Sequence, residues 1–496
     1  LQEVEVAGHK VLLVRNQLGF SAVGSKCTHA GAPLSKGVLA GNRLRCPWHG
    51  ACFSVRTGDI EEYPTLDCLP CFKVPCPCYV SSIPVRQPHT QPEQTSLCPG
   101  HSSPARVLRV GVLSTAALVC AETLRQEAFT GRIIMVSQEN HIPYDRTQLS
   151  KVCAWPELVL KPLTEGIEVW TGKEVRDLPV QGKWKLIWSH FSYSPRQLQC
   201  PGSNLENVCN LQTPEDAKRI LQLATGRRVV VLGASFIGME VAAFLSDRAS
   251  AICIVEREEF PFQAVLGPHV GEVAMKMLQN KGVKFYMKAE ISELRGENRK
   301  VSKSLTPMPL LDCSQNLGLS FLFQSGHMPF PSTGHLVSKF MQTNVPGVFA
   351  AGDVTSFPIA LFSGTTATIR HWQIAQAHGH TAALNMLNKR KELHTVPFFW
   401  TSLFGKSIRY AGYGKGYTDT VVKGNLEQLK FLVFYIKDDR VIAAASLNFD
   451  PMVSVVAEAM YSGRQISKAE HPGDMVILGG EESAGSGRNF LWAEEQ

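Results

Sequence analysis

The chain has 496 residues, 44% of them hydrophobic and 19% charged, with a formal net charge of +7. At about 150 residues per domain, that length implies roughly three folding units, and the ordinary apolar and charged fractions exclude a disordered or fibrous chain. The positive charge is spread out, its one short run being Lys389-Arg390-Lys391, which reads as a solvated helix end and excludes a nucleic-acid partner.

Residues 1–80 read as a small all-β domain. Val4–Val6, Lys10–Val14 and Phe20–Val23 are apolar, β-branched runs, and Phe72–Val74 is a candidate closing strand. Between them lies Cys27-Thr-His29, a gap of sixteen residues, then Cys46-Pro-Trp-His49. Zinc sites also mix Cys and His, but their usual spacings pair like with like. Here each loop carries one thiolate and one imidazole. That suits a Rieske [2Fe-2S] cluster, in which two cysteines hold one iron and two histidines the other, so Cys27, His29, Cys46 and His49 are the expected metal ligands. Gly31, Gly37 and Gly50 let backbone approach the sulfides, and Pro33 and Pro47 stiffen the loops. Two of the fourteen cysteines are thereby assigned. A chain this long is not a secreted disulfide scaffold. Cys68, Cys71, Cys76 and Cys78 resemble zinc pairs, but the intervening prolines favour reduced thiols over one closed site.

Residues 81–104, with repeated Pro, Ser, Gln and His, read as a linker. Residues 105–212 open with a βαβ unit: Val107–Val110, a turn from Gly111 to Ala117, a helix near Ala116–Phe129, and Arg132–Val136. The turn keeps only Gly111 of a G-x-G-x-x-G pattern, and Val112, Leu113 and Thr115 crowd the backbone approach that a pyrophosphate needs.

Residues 213–335 repeat the unit more cleanly. Arg228–Leu232 is a strand, Gly233-Ala-Ser235-Phe-Ile-Gly238 the turn, Met239–Leu245 the opening of a helix, and Ala251–Val255 the next strand. Glu256 follows, twenty-three residues after Gly233. A carboxylate there bonds both ribose hydroxyls and repels a 2′-phosphate, which favours NADH over NADPH. Residues 301–335 carry the proline spacing of a loop where the domain calls for a closing apolar strand.

In residues 336–390, Val345–Asp353 reads as a buried strand ending in Gly352-Asp353. An aspartate there accepts from a ribityl hydroxyl, and a following helix N-terminus would face a phosphate or flavin oxygen. Residues 391–478 form a separate α+β domain with strands at Leu429–Tyr435 and Val441–Ala445 and a helix near Val453–Ser462, and residues 479–496 are a Gly-, Ser- and Glu-rich tail. No run of roughly eighteen apolar residues suggests a transmembrane segment. The chain opens on Leu1 instead of methionine, so a targeting segment is expected to be missing from it.

This order of motifs resembles the Rieske-bearing branch of the apoptosis-inducing-factor-like flavoproteins, of the pyridine nucleotide-disulfide oxidoreductase family, and the ferredoxin reductases of aromatic-ring dioxygenases. The runs that carry the resemblance are Cys27–Gly37, Pro143-Tyr-Asp-Arg146 with Leu149-Ser-Lys151, Gly238–Ala242, Gln342–Asp353 and Phe404–Tyr410. It implies an FAD-binding domain in two parts, 105–212 and 336–390, around an NAD-binding domain, 213–335. It also implies FAD contacts from Arg146 and Lys151, an acidic ribose ligand at Glu139, a ribityl ligand at Asp353, and His371-Trp372 beside the flavin. Trp400 falls where a C-terminal aromatic approaches the flavin. Ala32 and Trp48 stand where high-potential Rieske proteins carry a loop-linking disulfide, so a low-potential centre is expected. The family's A-P-G-type crossing into the NAD domain is absent from 189–202.

The expectation is an NADH-dependent oxidoreductase passing electrons through FAD to the cluster and on to an unknown acceptor. The resemblance adds a pro-apoptotic setting and a mitochondrial rather than cytoplasmic location, and leaves a homo-oligomer open. The degraded first turn supports an alternative: a Rieske protein on a vestigial, FAD-poor reductase scaffold that acts as an interaction protein.

Overall fold

The computed structural model describes residues 1–16, 19–74, 84–86, 108–111, 114–151, 164, 166–173, 185–188, 198, 200–306, 315–318, 321–324, 335–359 and 365–469. It is multidomain: an all-β unit, an α/β reductase with two parallel sheets, and an α+β unit.

The N-terminal unit has two antiparallel sheets. One orders Gln2–Val6, His9–Asn16, Gly19–Gly24, Cys71–Phe72 and Pro84–Arg86; the other orders Val38–Ala40, Arg43–Arg45, Cys52–Ser54 and Ile60–Glu62. Leu12, Val14, Val23, Leu34, Leu44, Phe53 and Leu69 fill the space between them. Pro84–Arg86 corrects the expected linker. Proline is tolerated on an edge strand, so this part of 81–104 extends the first sheet.

The first parallel sheet orders Ile167–Trp170, Ile133–Val136, Leu108–Gly111, Lys185–Trp188 and Val348–Ala350. Ile133–Val136 is buried throughout, as expected of a strand covered on both faces. Helix α1 (Thr115–Gln126) follows the central strand.

The second parallel sheet orders Val208–Cys209, Phe321–Gln324, Arg228–Leu232, Ala251–Val255 and Lys284–Tyr286. Helix α2 (Pro214–Ala224) begins at Thr213, whose side chain forms a reciprocal capping box with Asp216. Helix α3 (Phe236–Leu245) follows the glycine turn, and α4 (Gln263–Gln279) kinks at Gly267, with Pro268 next. The loop expected over 301–335 is corrected here. Lys300–Thr306 and Gln315–Gly318 join a small antiparallel sheet, and Phe321–Gln324 supplies the missing closing strand. The prolines at 307 and 309 lie outside the described residues.

Gly352-Asp353 is also not followed directly by a helix. A 3-10 turn (Gly352–Val354) and the strand Thr355–Pro358 intervene before α5 (Trp372–Met386). Helices α1 and α5 touch because Gly379 has no side chain: a Cβ there would lie 2.2 Å from the Ala116 carbonyl oxygen.

The last unit is an antiparallel sheet ordered Phe398–Leu403, Lys406–Gly412, Arg440–Leu447, Lys430–Lys437 and Asp419–Asn425, followed by α6 (Met452–Tyr461). Its apolar face shares one continuous core with the second parallel sheet: Leu403, Ile408, Phe431 and Tyr435 pack with Val229, Met239, Leu245 and Leu266. Its other neighbour is the N-terminal unit. Residues 470–496, and with them the expected tail, lie outside the described residues.

Candidate functional site

The two metal loops are closed by their own backbone. Cys27 N–H donates to Ala32 O (2.8 Å), Gly31 N–H to Cys27 O (2.8 Å), and Cys46 N–H to Ala51 O (2.7 Å). Gly31 and Gly50 have φ of +72° and +76°, a left-handed backbone that glycine adopts without penalty. Cys27 and Cys46 are 3% and 0% exposed and hydrogen-bond each other through sulfur. That bond, with burial behind it, pushes the Cys27 thiol far up. Burial also acts to raise Cys46, but the bond from Cys27, the His49 and Trp48 amides and Arg409 together bring it below its ordinary value. The imidazoles pair separately, His29 Nδ1 lying 3.0 Å from His49 Nδ1. Burial lowers both, His49 to about 2, so each presents a neutral ring. Among the described residues no three His, Cys, Asp or Glu side chains converge as ligands of one ion. A thiol pair beside an imidazole pair is the donor set of a two-iron Rieske cluster, in which the irons are held separately. Of the other candidate cysteines, Cys68 and Cys71 are buried, and Cys76 and Cys78 lie outside the described residues.

The imidazole pair faces the C-terminal sheet. The Trp400 ring centroid lies 4.3 Å from that of His49 and 5.5 Å from that of His29, and on its other side 5.2 Å from His371. His371 caps α5, its Nδ1 accepting from Gln373 N–H, and burial lowers its pKa to about 3. Trp372 is the first residue of that helix. The neighbouring Thr401 donates to Glu240 Oε1 (2.8 Å), and Glu240 Oε2 receives Lys151 Nζ at 2.7 Å. Thr401 and Trp400 are successive residues of one strand and leave it on opposite faces, so the Lys151–Glu240–Thr401 group and the Trp400–imidazole group lie on either side of the same strand.

Around it stand the other candidate FAD residues. Glu139 holds Arg146 in an ion pair and accepts from Tyr144 Oη at 2.9 Å. Arg146 also donates to Gln212 O at 2.8 Å. The Asp353 carboxyl is raised to about 6, chiefly by burial, with Arg370 and Arg146 opposing. The first turn departs from its sequence reading. Thr115 is the first residue of α1, not part of the turn, and its Oγ1 is buried without a protein partner. A hydroxyl orphaned at a helix N-terminus fits a phosphate oxygen better than it excludes one. Val112 and Leu113 lie outside the described residues, while Gly111 ends the central strand beside Val136.

The second turn forms a separate group. Gly233 has φ +100° and donates to Val255 O. Ser235 precedes α3 and Gly238 lies buried inside it. Glu256 accepts from Ala234 N–H at 2.6 Å and from Arg257 N–H at 2.7 Å. Its carboxylate therefore sits at the rim of the turn, where a ribose would lie.

Sequence reasoning missed Glu240, Thr401 and Arg409. Glu240 left one signal, a carboxylate inside the apolar run Gly238–Ala242; a buried acid demands a partner.

Three family descriptions tile this arrangement: "Rieske [2Fe-2S] domain" over residues 1–73, "Pyridine nucleotide-disulphide oxidoreductase" over 192–379 and "Reductase C-terminal" over 398–476. Apoptosis-inducing factor 3 of Mus musculus is 46% identical over 97% of this chain and 86% of its own length. The chain belongs to the Rieske-bearing flavoprotein reductases of the pyridine nucleotide-disulphide oxidoreductase family. The ferredoxin–NAD(+) reductase subunit of the benzene 1,2-dioxygenase system of Pseudomonas putida is 28% identical over 67% of the chain and 87% of its own length. The reductase fold is shared with the covalent putidaredoxin reductase–putidaredoxin complex, at TM-score 0.65 and 20% identity, over 73% of this chain and 94% of that one. Membership makes this flavoprotein reductase an oxidoreductase whose cofactors are a [2Fe-2S] cluster, FAD and NAD(H). Among the described residues, no helix is long and apolar enough to cross a membrane.

Proposed function

We propose that this reductase takes a hydride from NADH and delivers single electrons through the cluster held by Cys27, His29, Cys46 and His49 to an external acceptor. Flavin and cluster together supply the conversion of a two-electron donor into one-electron steps. The protein's own residues do the rest. Glu256 selects NADH by taking the ribose hydroxyls and repelling a 2′-phosphate. Gly233, Ser235 and Gly238 give the nicotinamide cofactor its backbone cradle. Gly111, Glu139, Arg146 and Asp353 would hold the flavin nucleotide, and Lys151, fixed by Glu240, would contact it together with His371 and Trp372.

The observation that carries this reading is Trp400, whose ring lies 4.3 Å from His49 and 5.2 Å from His371. One aromatic side chain thus neighbours both the candidate cluster's imidazoles and the N-cap of α5. Anaerobic titration with NADH tests it: the flavin band should bleach and a reduced-cluster EPR signal should follow. Purified protein with cluster absorbance and no flavin band would sink it. The mouse relative's name, apoptosis-inducing factor 3, adds apoptosis as the cellular setting, and with it we propose a mitochondrial location. Imaging the tagged chain and scoring caspase activation against a Cys46→Ser form checks both.

A further inference from the structure

Arg409, on the strand Lys406–Gly412, is 7% exposed. Its Nε donates to the Trp48 carbonyl at 2.8 Å, inside the second metal loop, and Nη1 donates to Ser407 O at 3.3 Å. The charged group facing it is Asp450, whose Oδ1 lies 3.0 Å from Nη1 with a third of its side chain exposed. A guanidinium keeps its charge at every relevant pH, and here it is buried between the C-terminal sheet and a loop bearing two of the four ligands.

Reducing a [2Fe-2S] cluster adds one electron and breaks no bond. The site gains one negative charge, and net charge and local hydrogen bonds set the potential of such centres. A fixed cation in a poorly screened position stabilises the reduced form, and a partly solvated carboxylate beside it takes back part of that effect. We propose that Arg409 is a positioning residue of the C-terminal domain that raises the reduction potential of the Rieske cluster, with Asp450 as its partial counterweight. The C-terminal domain then adds a second guanidinium at that loop, at the Trp48 carbonyl, beside the Rieske domain's own Arg45 at the Gly50 carbonyl. This rests on the cluster assignment made above.

The test is a dithionite titration with redox mediators of the full-length holoprotein, followed by the EPR signal of the reduced cluster. Arg409→Gln should shift the equilibrium about tenfold toward the oxidised form, about 59 mV for one electron. Asp450→Asn should shift it the opposite way by a smaller factor. Arg409→Lys, which keeps the charge, should retain most of the wild-type value. Opposite shifts for the first two are a signature of charge that a purely structural role does not produce. Unchanged potentials, shifts of one sign, or an Arg409→Lys shift as large as that of Arg409→Gln overturn the inference. Wild-type protein lacking a Rieske-type signal would instead overturn the cluster assignment.

Discussion

The C-terminal domain makes two joints of opposite chemistry. Toward the NAD-binding sheet it merges its apolar face into a common core around Leu403, Ile408, Phe431 and Tyr435. Toward the Rieske domain it presents charge. Glu458 on α6, 2% exposed, pairs with Arg45 at 2.6 Å and with Arg43 at 3.4 Å. Glu62 pairs with Arg45 as well, and accepts from Thr395 Oγ1 (2.8 Å) and Val396 N–H (3.1 Å). Arg45 also donates to Gly50 O (2.9 Å), within the metal loop. An apolar joint tolerates small slips, because the hydrophobic effect has no direction. A buried ion network does not, since a displaced charge loses its partners in a medium that cannot replace them. The joint that aims the imidazoles at Trp400 is the one built from directional bonds.

Breaking each joint separately should expose that difference. Glu458→Ala leaves the buried Arg45 and the half-buried Arg43 guanidiniums short of a carboxylate and should cost about 3–5 kcal/mol. Hydrogen–deuterium exchange should show the loss confined to residues 1–74 and α6. Leu403→Ala empties a fully buried site in the shared core and should cost roughly 2–5 kcal/mol, read as earlier unfolding of the NAD-binding and C-terminal domains together, with the Rieske strands still protected. Acid should separate the joints without a mutation. Burial acts to raise the Glu458 pKa, but Arg45 and Arg43 outweigh it and hold it below the ordinary carboxylate value. Its contribution is therefore present above that ordinary value and is lost as pH falls through the lowered one. Protection factors, corrected for the intrinsic pH dependence of exchange, should fall at the Rieske joint on acidification while those at the apolar joint stay unchanged. Least affected should be Ser454→Ala. Its hydroxyl donates to the Cys46 carbonyl at 3.0 Å, a bond worth about 1 kcal/mol, visible as a small rise in exchange at Cys46.

What the sequence discloses follows the range of the interactions. The Rieske domain over residues 1–73 is legible because two short loops carry its candidate donors Cys27, His29, Cys46 and His49, and the strand–turn–helix around Gly233–Gly238 because its pattern is local. The closing strand Phe321–Gln324 is obscured by the Pro307 and Pro309 spacing earlier in the same stretch and declares itself only through pairing with Arg228–Leu232. Thr115 misleads because one residue of register decides whether a side chain blocks a turn or opens a helix. Arg409 and Glu458 are illegible for a different reason. Each is an ordinary charged residue until the fold brings it to a partner some four hundred positions away, 413 in the case of Arg45 and Glu458.

That separation also dictates an order of assembly. Cys46 and the Ser454 that holds its carbonyl are 408 positions apart, roughly 20–80 s of synthesis at 5–20 residues per second. The Rieske strands have all their own partners long before α6 emerges, so this domain folds first. For that interval its imidazole face has no lid. Iron and sulfide delivered during synthesis meet an open pair of loops; delivered afterwards, they meet a site already covered by Trp400 and α6.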